Sequence, residues 1–242
     1  MKAMIFAAGK GTRLFPLTQY TPKALVKFNK IPLLERLIVH LKKNGVSQIV
    51  INVHYLSDLI IDFLAANNNF GIDIFISNET DQLLDTGGGL KKASRFFSRD
   101  EVFILHNVDV VSNIDLDTMI ACHKKQNALV TMAVRRRESS RYLLFNKQNE
   151  LSGWRNKKTN QEIITKPDEQ LSEFAFSGIH VINSEIFNYI EQDGSFSIID
   201  TYLELSSTHK ILAYNHTNDY WFDIGTVDKL KKAEQFLIGN NL

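Results

Sequence analysis

The chain has little cysteine: Cys122 is the single one in 242 residues. That excludes an internal disulfide and a cysteine-rich zinc site. Its four prolines and twelve glycines are nowhere gathered into a linker, and no low-complexity tract or internal repeat appears. No apolar run approaches the ~18 residues of a membrane span. The opening MKAMIFAAGKG has a shorter apolar stretch than a signal peptide and no small-residue cleavage site. A cytoplasmic protein with no membrane partner is expected. An excess of charge is lacking too, since 28 Lys and Arg against 27 Asp and Glu leave +1. Nothing therefore favours nucleic acid in general, and any anion site must be local.

What is present is an ordinary globular composition, 44% hydrophobic and 23% charged, long enough for a sizeable core. Strand patterns at residues 2–7, 48–54, 72–77, 102–106 and 128–135 alternate with helical patterns at 33–44, 56–67, 88–97 and 116–126. This βαβα rhythm predicts an α/β fold with a mostly parallel sheet and helices on both faces. Short strands at 142–145, 151–156 and 162–165 predict an antiparallel insertion. Strands at 174–182 and 211–215 and helices at 184–192 and 227–238 complete one expected domain, residues 1–242. Ligands of such sheets bind beyond the carboxyl ends of the strands, here after Ala7, after His54, at residues 86–89 and around Asn107.

The loop after the first strand reads AAGKGTRLFPLTQYTPKALV from Ala7 to Val26. It fails as a dinucleotide fingerprint, because Leu14 stands where the third glycine belongs and the second strand ends in Asn52-Val53-His54 without a carboxylate. It also fails as an ATPase loop, since Gly11 rather than Ser or Thr follows Gly9-Lys10. Taken whole, the stretch resembles the signature of the sugar-1-phosphate nucleotidyltransferases, the NDP-sugar pyrophosphorylases. The resemblance continues through Leu84-Asp85-Thr86-Gly87-Gly88-Gly89, Asn107-Val108-Asp109, Phe176-Ser177-Gly178-Ile179 and Phe222-Asp223-Ile224-Gly225-Thr226. The branch containing N-acetylmuramate-1-phosphate uridylyltransferase looks most similar, with the mannose-1-phosphate guanylyltransferases close behind.

The resemblance implies a Rossmann-like three-layer sandwich, the nucleotide-diphospho-sugar transferase fold. Its nucleotide-binding half would span about 1–126 and its sugar-binding half about 127–242. It implies attack by a sugar-1-phosphate oxygen on the α-phosphorus of UTP or GTP, expelling pyrophosphate, with Mg²⁺ and with products that feed the cell envelope. The nucleophile is already anionic, so catalysis is chiefly positioning and charge compensation. Glycines at 9 and 11 would bring amides close to phosphates. Arg13 would fork across the departing pyrophosphate, and Lys23 would face the α-phosphate, with Asp109 completing the catalytic set. Asp109 and Asp223, each at a strand end, would hold the metal.

Nucleotide contacts are implied at Ala8, Gly9, Gly11, Thr12, Arg13, Gln82, Asp85, Thr86, Gly87, Gly88 and Asn107. Glycines at 87 and 88 would let the base lie flat against the chain, while Thr86 reads equally as a cap for the helix its loop opens. Sugar-phosphate contacts are implied at Lys23, Arg141, Tyr142, Lys166, Glu173, Ser177 and Gly178. Two residues depart from the family pattern: Val108 and Leu143 stand where glycine is usual, and Val108 would narrow the pocket or tilt Asp109. Elsewhere, Cys122 and Trp154 read as packing. Arg135, Arg136 and Arg137 read as a solvated strand end, and Asp115 as a helix cap. His54 and His106 lie near enough to strand ends to approach a nucleotide. A non-catalytic sugar-nucleotide sensor and a nicotinamide dehydrogenase are the competing readings.

Overall fold

A computed structural model describes residues 1–240. In chain order its principal elements begin with β1 (Lys2–Phe6), β2 (Lys27–Phe28), β3 (Ile31–Pro32), α1 (Leu33–Lys43), β4 (Gln48–Val53), α2 (Ser57–Ala66) and β5 (Asp73–Asn78). There follow α3 (Asp85–Ala93), β6 (Val102–Asn107), β7 (Val110–Ser112), α4 (Leu116–Lys125), β8 (Val130–Arg135) and β9 (Arg141–Phe145). The chain continues with β10 (Leu151–Asn156), β11 (Gln161–Ile164), β12 (Ser172–Asn183), α5 (Ile198–Leu205), β13 (Ile211–Asn215), β14 (Trp221–Asp223) and α6 (Val227–Gly239). None of the described helices is long and apolar enough to cross a membrane.

Contacts divide the chain into two compact units. The first comprises Met1–Leu83, His106–Asn113 and the chain from Trp221 onward. Within it β4 pairs in parallel with β1 on one side, Lys2 opposite Gln48, and with β5 on the other, Gln48 opposite Asp73. Flanked on both edges, β4 is buried from Ile49 to Val53, which is why its sequence is a near-continuous apolar run. The helix α1 buries Leu33, Leu34, Leu37, Ile38 and Leu41, a stripe with helical spacing. Gly45 follows it at φ 74°, the left-handed conformation that ends a helix without a Cβ penalty. Two single-turn 3₁₀ segments, Thr12–Leu14 and Lys23–Leu25, shape the long loop after β1.

The second unit comprises Leu84–Leu105 and Ile114–Tyr220. Its long strand β12 pairs antiparallel with both β8 and β9, and β9, β10 and β11 continue as an antiparallel meander. The strand β13 adds in parallel to β8. The parallel rhythm read from the first half and the antiparallel excursion read from the second are both present.

Some local expectations fail. Residues 184–192 contain only a 3₁₀ segment, Ser184–Asn188, and the helix lies later, at α5. Ser197 caps α5 by accepting from the Ile199 N–H at 3.2 Å, and the eight-residue helix buries Ile198, Thr201, Tyr202 and Leu203. Cys122 is half-buried. Of the three arginines at the end of β8, Arg136 is exposed while Arg135 and Arg137 are staples rather than a solvated end. Arg137 donates to the Phe176 carbonyl at 3.0 Å, Arg135 to that of Thr217 at 3.4 Å, and Arg136 lies over the Phe174 ring. Asp115 caps α4 as expected, accepting from the Thr118 N–H at 2.9 Å.

Candidate active site

The first unit holds the predicted residues of the loop after β1 together with Asp109 and Asp223. Beyond β1, Ala7 and Ala8 are buried and Gly9 is exposed. A Cβ built on Gly9 would meet nothing within 4 Å, so the backbone there is open to a ligand. Gly11 differs. It sits at φ 66°, and a Cβ would come within 3.0 Å of both the Lys23 Cβ and the Thr18 Cγ2. Thr18 donates to the Gly11 carbonyl at 2.9 Å. Glycine is required at 11 so that the Lys23 stem can cross the loop. Thr12 and Arg13 are exposed on the following turn.

Lys23 makes a salt bridge with Asp109, and both side chains are mostly buried, 13% and 16% exposed. Asp109 is positioned by the short ladder of β7 and β14, in which Asp223 pairs with Val110. The Ile224 N–H donates to the Asp109 carbonyl at 2.8 Å. Asp109 therefore stands one residue before the position that faces Asp223. Asp223 Oδ2 accepts from Lys229 Nζ at 2.6 Å. A Cβ on Gly225 would lie 2.7 Å from Asp223 Oδ1 and 3.3 Å from Arg13 Nη2. Glycine at 225 thus lets the carboxylate and the guanidinium approach across bare backbone. Val108, at the position where glycine was expected, is buried and donates its N–H to the Phe6 carbonyl at 3.2 Å. Its side chain belongs to the core.

The loop's start is fixed by residues that carried no motif. Asn52 accepts from the Ala7 N–H at 2.7 Å and donates to Glu79 at 2.8 Å. Glu79 is fully buried. Because Asn52 and Glu79 come from neighbouring strand ends, only pairing between β4 and β5 reveals them. His54 Nδ1 bonds the Glu79 carbonyl at 2.7 Å. His106 is buried, bonds the carbonyl of half-buried Asn107 at 2.8 Å, and is pushed down to about 4 by burial. It is a neutral core residue. Gln82 is exposed on the turn after β5, its N–H donating to the Glu79 carbonyl at 3.1 Å.

In the second unit the glycines of α3 serve packing. A Cβ on Gly87 would come within 2.2 Å of the Phe196 ring, and one on Gly88 within 2.0 Å of the Gly194 carbonyl. The Gly87 N–H is already bonded to the Phe196 carbonyl at 2.8 Å. Thr86 does cap a helix, but it is α5: its hydroxyl accepts from the Ile198 N–H at 3.0 Å. Asp85, exposed and at φ 55°, bonds the Thr86 N–H at 2.6 Å.

The expected sugar contacts separate. Arg141 and Tyr142 line a largely apolar cavity of about 440 Å³ with Leu143, Trp154, Phe176 and Asp200. The Tyr142 hydroxyl is engaged by the Ser139 N–H at 2.9 Å. Glu173 and Lys166 do not line that cavity. Glu173 pairs with Lys157 at 2.6 Å and with Arg155, neighbours that hold its carboxyl below the usual range, Lys157 most of all. Lys166 pairs with Glu150 at 3.1 Å. Ser177 is fully buried and bonded to His216 at 2.7 Å. Gly178, at φ 78°, lies where the register between β12 and β8 shifts.

The pattern of the family described as Nucleotidyl transferase matches residues 2–239. The chain is 30% identical over 229 residues to a mannose-1-phosphate guanyltransferase of Yarrowia lipolytica, covering 93% of this chain and 61% of that protein's length. It is 28% identical over 241 residues to an N-acetylmuramate alpha-1-phosphate uridylyltransferase of Neisseria meningitidis serogroup B, covering 97% of each. Among solved structures, UDP-glucose pyrophosphorylase from Acinetobacter baumanii superposes with a TM-score of 0.79 at 19% identity, over 98% of this chain and 92% of that one.

Proposed function

Since the chain belongs to the nucleotidyl transferase family, we propose that it joins a nucleoside triphosphate to a sugar-1-phosphate, releasing pyrophosphate, and that the nucleotide is uridylyl. The observation that carries this reading is the convergence of Arg13, Lys23, Asp109 and Asp223 around an open glycine loop. That set answers what the reaction demands: cations for a polyanion and carboxylates for a hard metal. Lys23, with Asp109 as counter-ion, would orient the α-phosphate. Arg13 would bind the pyrophosphate as it leaves.

Asp109 and Asp223 fit Mg²⁺ as two hard oxygen donors, Asp223 opposite Val110 and Asp109 one residue before it. Among the described residues no cluster of three or more His, Cys, Asp or Glu could hold a metal. Two carboxylates nevertheless suit an ion that keeps waters and takes substrate oxygens. When bound, Mg²⁺ would neutralise charge on the phosphates.

Uridylyl transfer is the first reading, from the 28% identity to the Neisseria uridylyltransferase over 241 residues. Guanylyl transfer to a mannose- or heptose-type phosphate is the second reading, from the identity to the Yarrowia enzyme. A cavity that offers Arg141 among rings suits a sugar bearing an acyl or carboxylate substituent. The test is four triphosphates against a dozen sugar-1-phosphates with Mg²⁺, read by pyrophosphate release. The expected outcome is one preferred pair, with UTP. Tight nucleotide binding without turnover for every pair would instead mark a sensor.

A further inference from the structure

Each of the two aspartates has its own lysine, but the two ion pairs are unlike. Lys23 and Asp109 are mostly buried, whereas the Lys229 side chain is 49% exposed beside an Asp223 that is 25% exposed. Lys229 lies in the first turn of α6, where Thr226 accepts from its N–H at 3.3 Å. Leu230 and Ala233 are buried beneath that turn, so the backbone is anchored while the long side chain remains at the solvent edge. Asp223 Oδ1 lies beside Gly225, as does Arg13 Nη2, and Oδ2 is taken by Lys229 at 2.6 Å. One oxygen of this carboxylate is therefore already held by a cation of the chain.

We propose that Lys229 is a positioning residue of the metal site: its ammonium holds Asp223 when no metal is bound, and a divalent cation reaches that carboxylate by displacing it. An exposed ammonium is the partner that can yield. Its attraction is screened by water and worth about fivefold or less in an equilibrium, while a divalent ion draws on both aspartates at once. The flexible stem lets the displaced ammonium swing into solvent or onto an incoming phosphate. Lys229 thus lowers metal affinity in the empty protein and keeps the carboxylate in place without it. The inference rests on reading Asp109 and Asp223 as the metal ligands.

The test is Mn²⁺ binding to the intact protein without nucleotide, read by electron paramagnetic resonance of the free ion, for wild type, K229Q, K229R and D223N. K229Q is expected to bind Mn²⁺ about fivefold more tightly. K229R, which keeps the charge, should stay within about twofold of wild type, and D223N should lose at least about tenfold. Far-UV circular dichroism checks that each variant is folded. Unchanged or weaker binding in K229Q, or no binding where wild type also shows none, overturns the role of Lys229 and leaves the proposed reaction standing. Wild-type affinity in D223N removes the metal assignment itself.

Discussion

The two glycine-rich loops of this protein look alike in sequence and do different work in the structure. Around Gly9 the space that a side chain would occupy is empty, and two residues on, Gly11 lets the stem of Lys23, salt-bridged to Asp109, cross the loop. Around Gly87 and Gly88 the same space is filled by Phe196 and by the Gly194 carbonyl. At Gly9 of the first loop the backbone is left open, whereas the glycines of the second admit another segment of its own unit. A glycine motif records only that something approaches the backbone closely; it does not say what.

The sharpest way to break that contrast is to remove charge beside the open loop. Lys23→Ala should lower pyrophosphate release by about 100- to 1000-fold while the protein stays folded, the loss typical of one preorganised electrostatic group. A variant that keeps most of its activity would dissolve the catalytic reading of this loop.

The next test exchanges stability for binding. Gly88→Ala should destabilise by about 3 kcal/mol, because its Cβ meets a backbone carbonyl that cannot move cheaply. Gly9→Ala should leave stability within about 0.5 kcal/mol and instead weaken triphosphate binding. Denaturant unfolding and nucleotide titration on both variants measure this. The reverse pattern would mean that the loop roles had been exchanged.

The mildest test uses pH. His106 in the first unit and His123 and His216 in the second are each held at about 4, chiefly by burial, against 6.5 when exposed. Between those values the unfolded chain binds more protons, so stability is full above about pH 6.5 and falls as pH drops toward 4. Each histidine should contribute about 1–2 kcal/mol of that loss between pH 7 and 5. His216→Gln should flatten the dependence measured by urea unfolding, since its bond to Ser177 needs no titrating group.

Periodicity and motif order made much of this protein legible. The burial stripe of α1, the run of β4 and the strand-end positions of Asp109 and Asp223 follow from local pattern, because helices and strands bury residues with fixed periods. The helix α5 was missed. Its eight residues offer barely two turns of pattern, and one of its caps, Thr86, lies 112 positions away. Glu173, Lys166 and Ser177 were drawn toward the sugar by motif, yet their charges and hydroxyl are engaged by Lys157, Glu150 and His216.

By itself the sequence determined the parallel rhythm, the family and the residue types of the loop after β1, all of which depend on neighbours close along the chain. Tertiary structure decided the partners. Asn52 and Glu79 hold the loop from two strands, Gly225 leaves bare backbone beside both Arg13 and Asp223, and Lys229 takes one oxygen of Asp223. The physical reason is range. A turn or a stripe is set within a few residues, whereas an ion pair forms wherever folding places two charges, and no local pattern encodes that meeting.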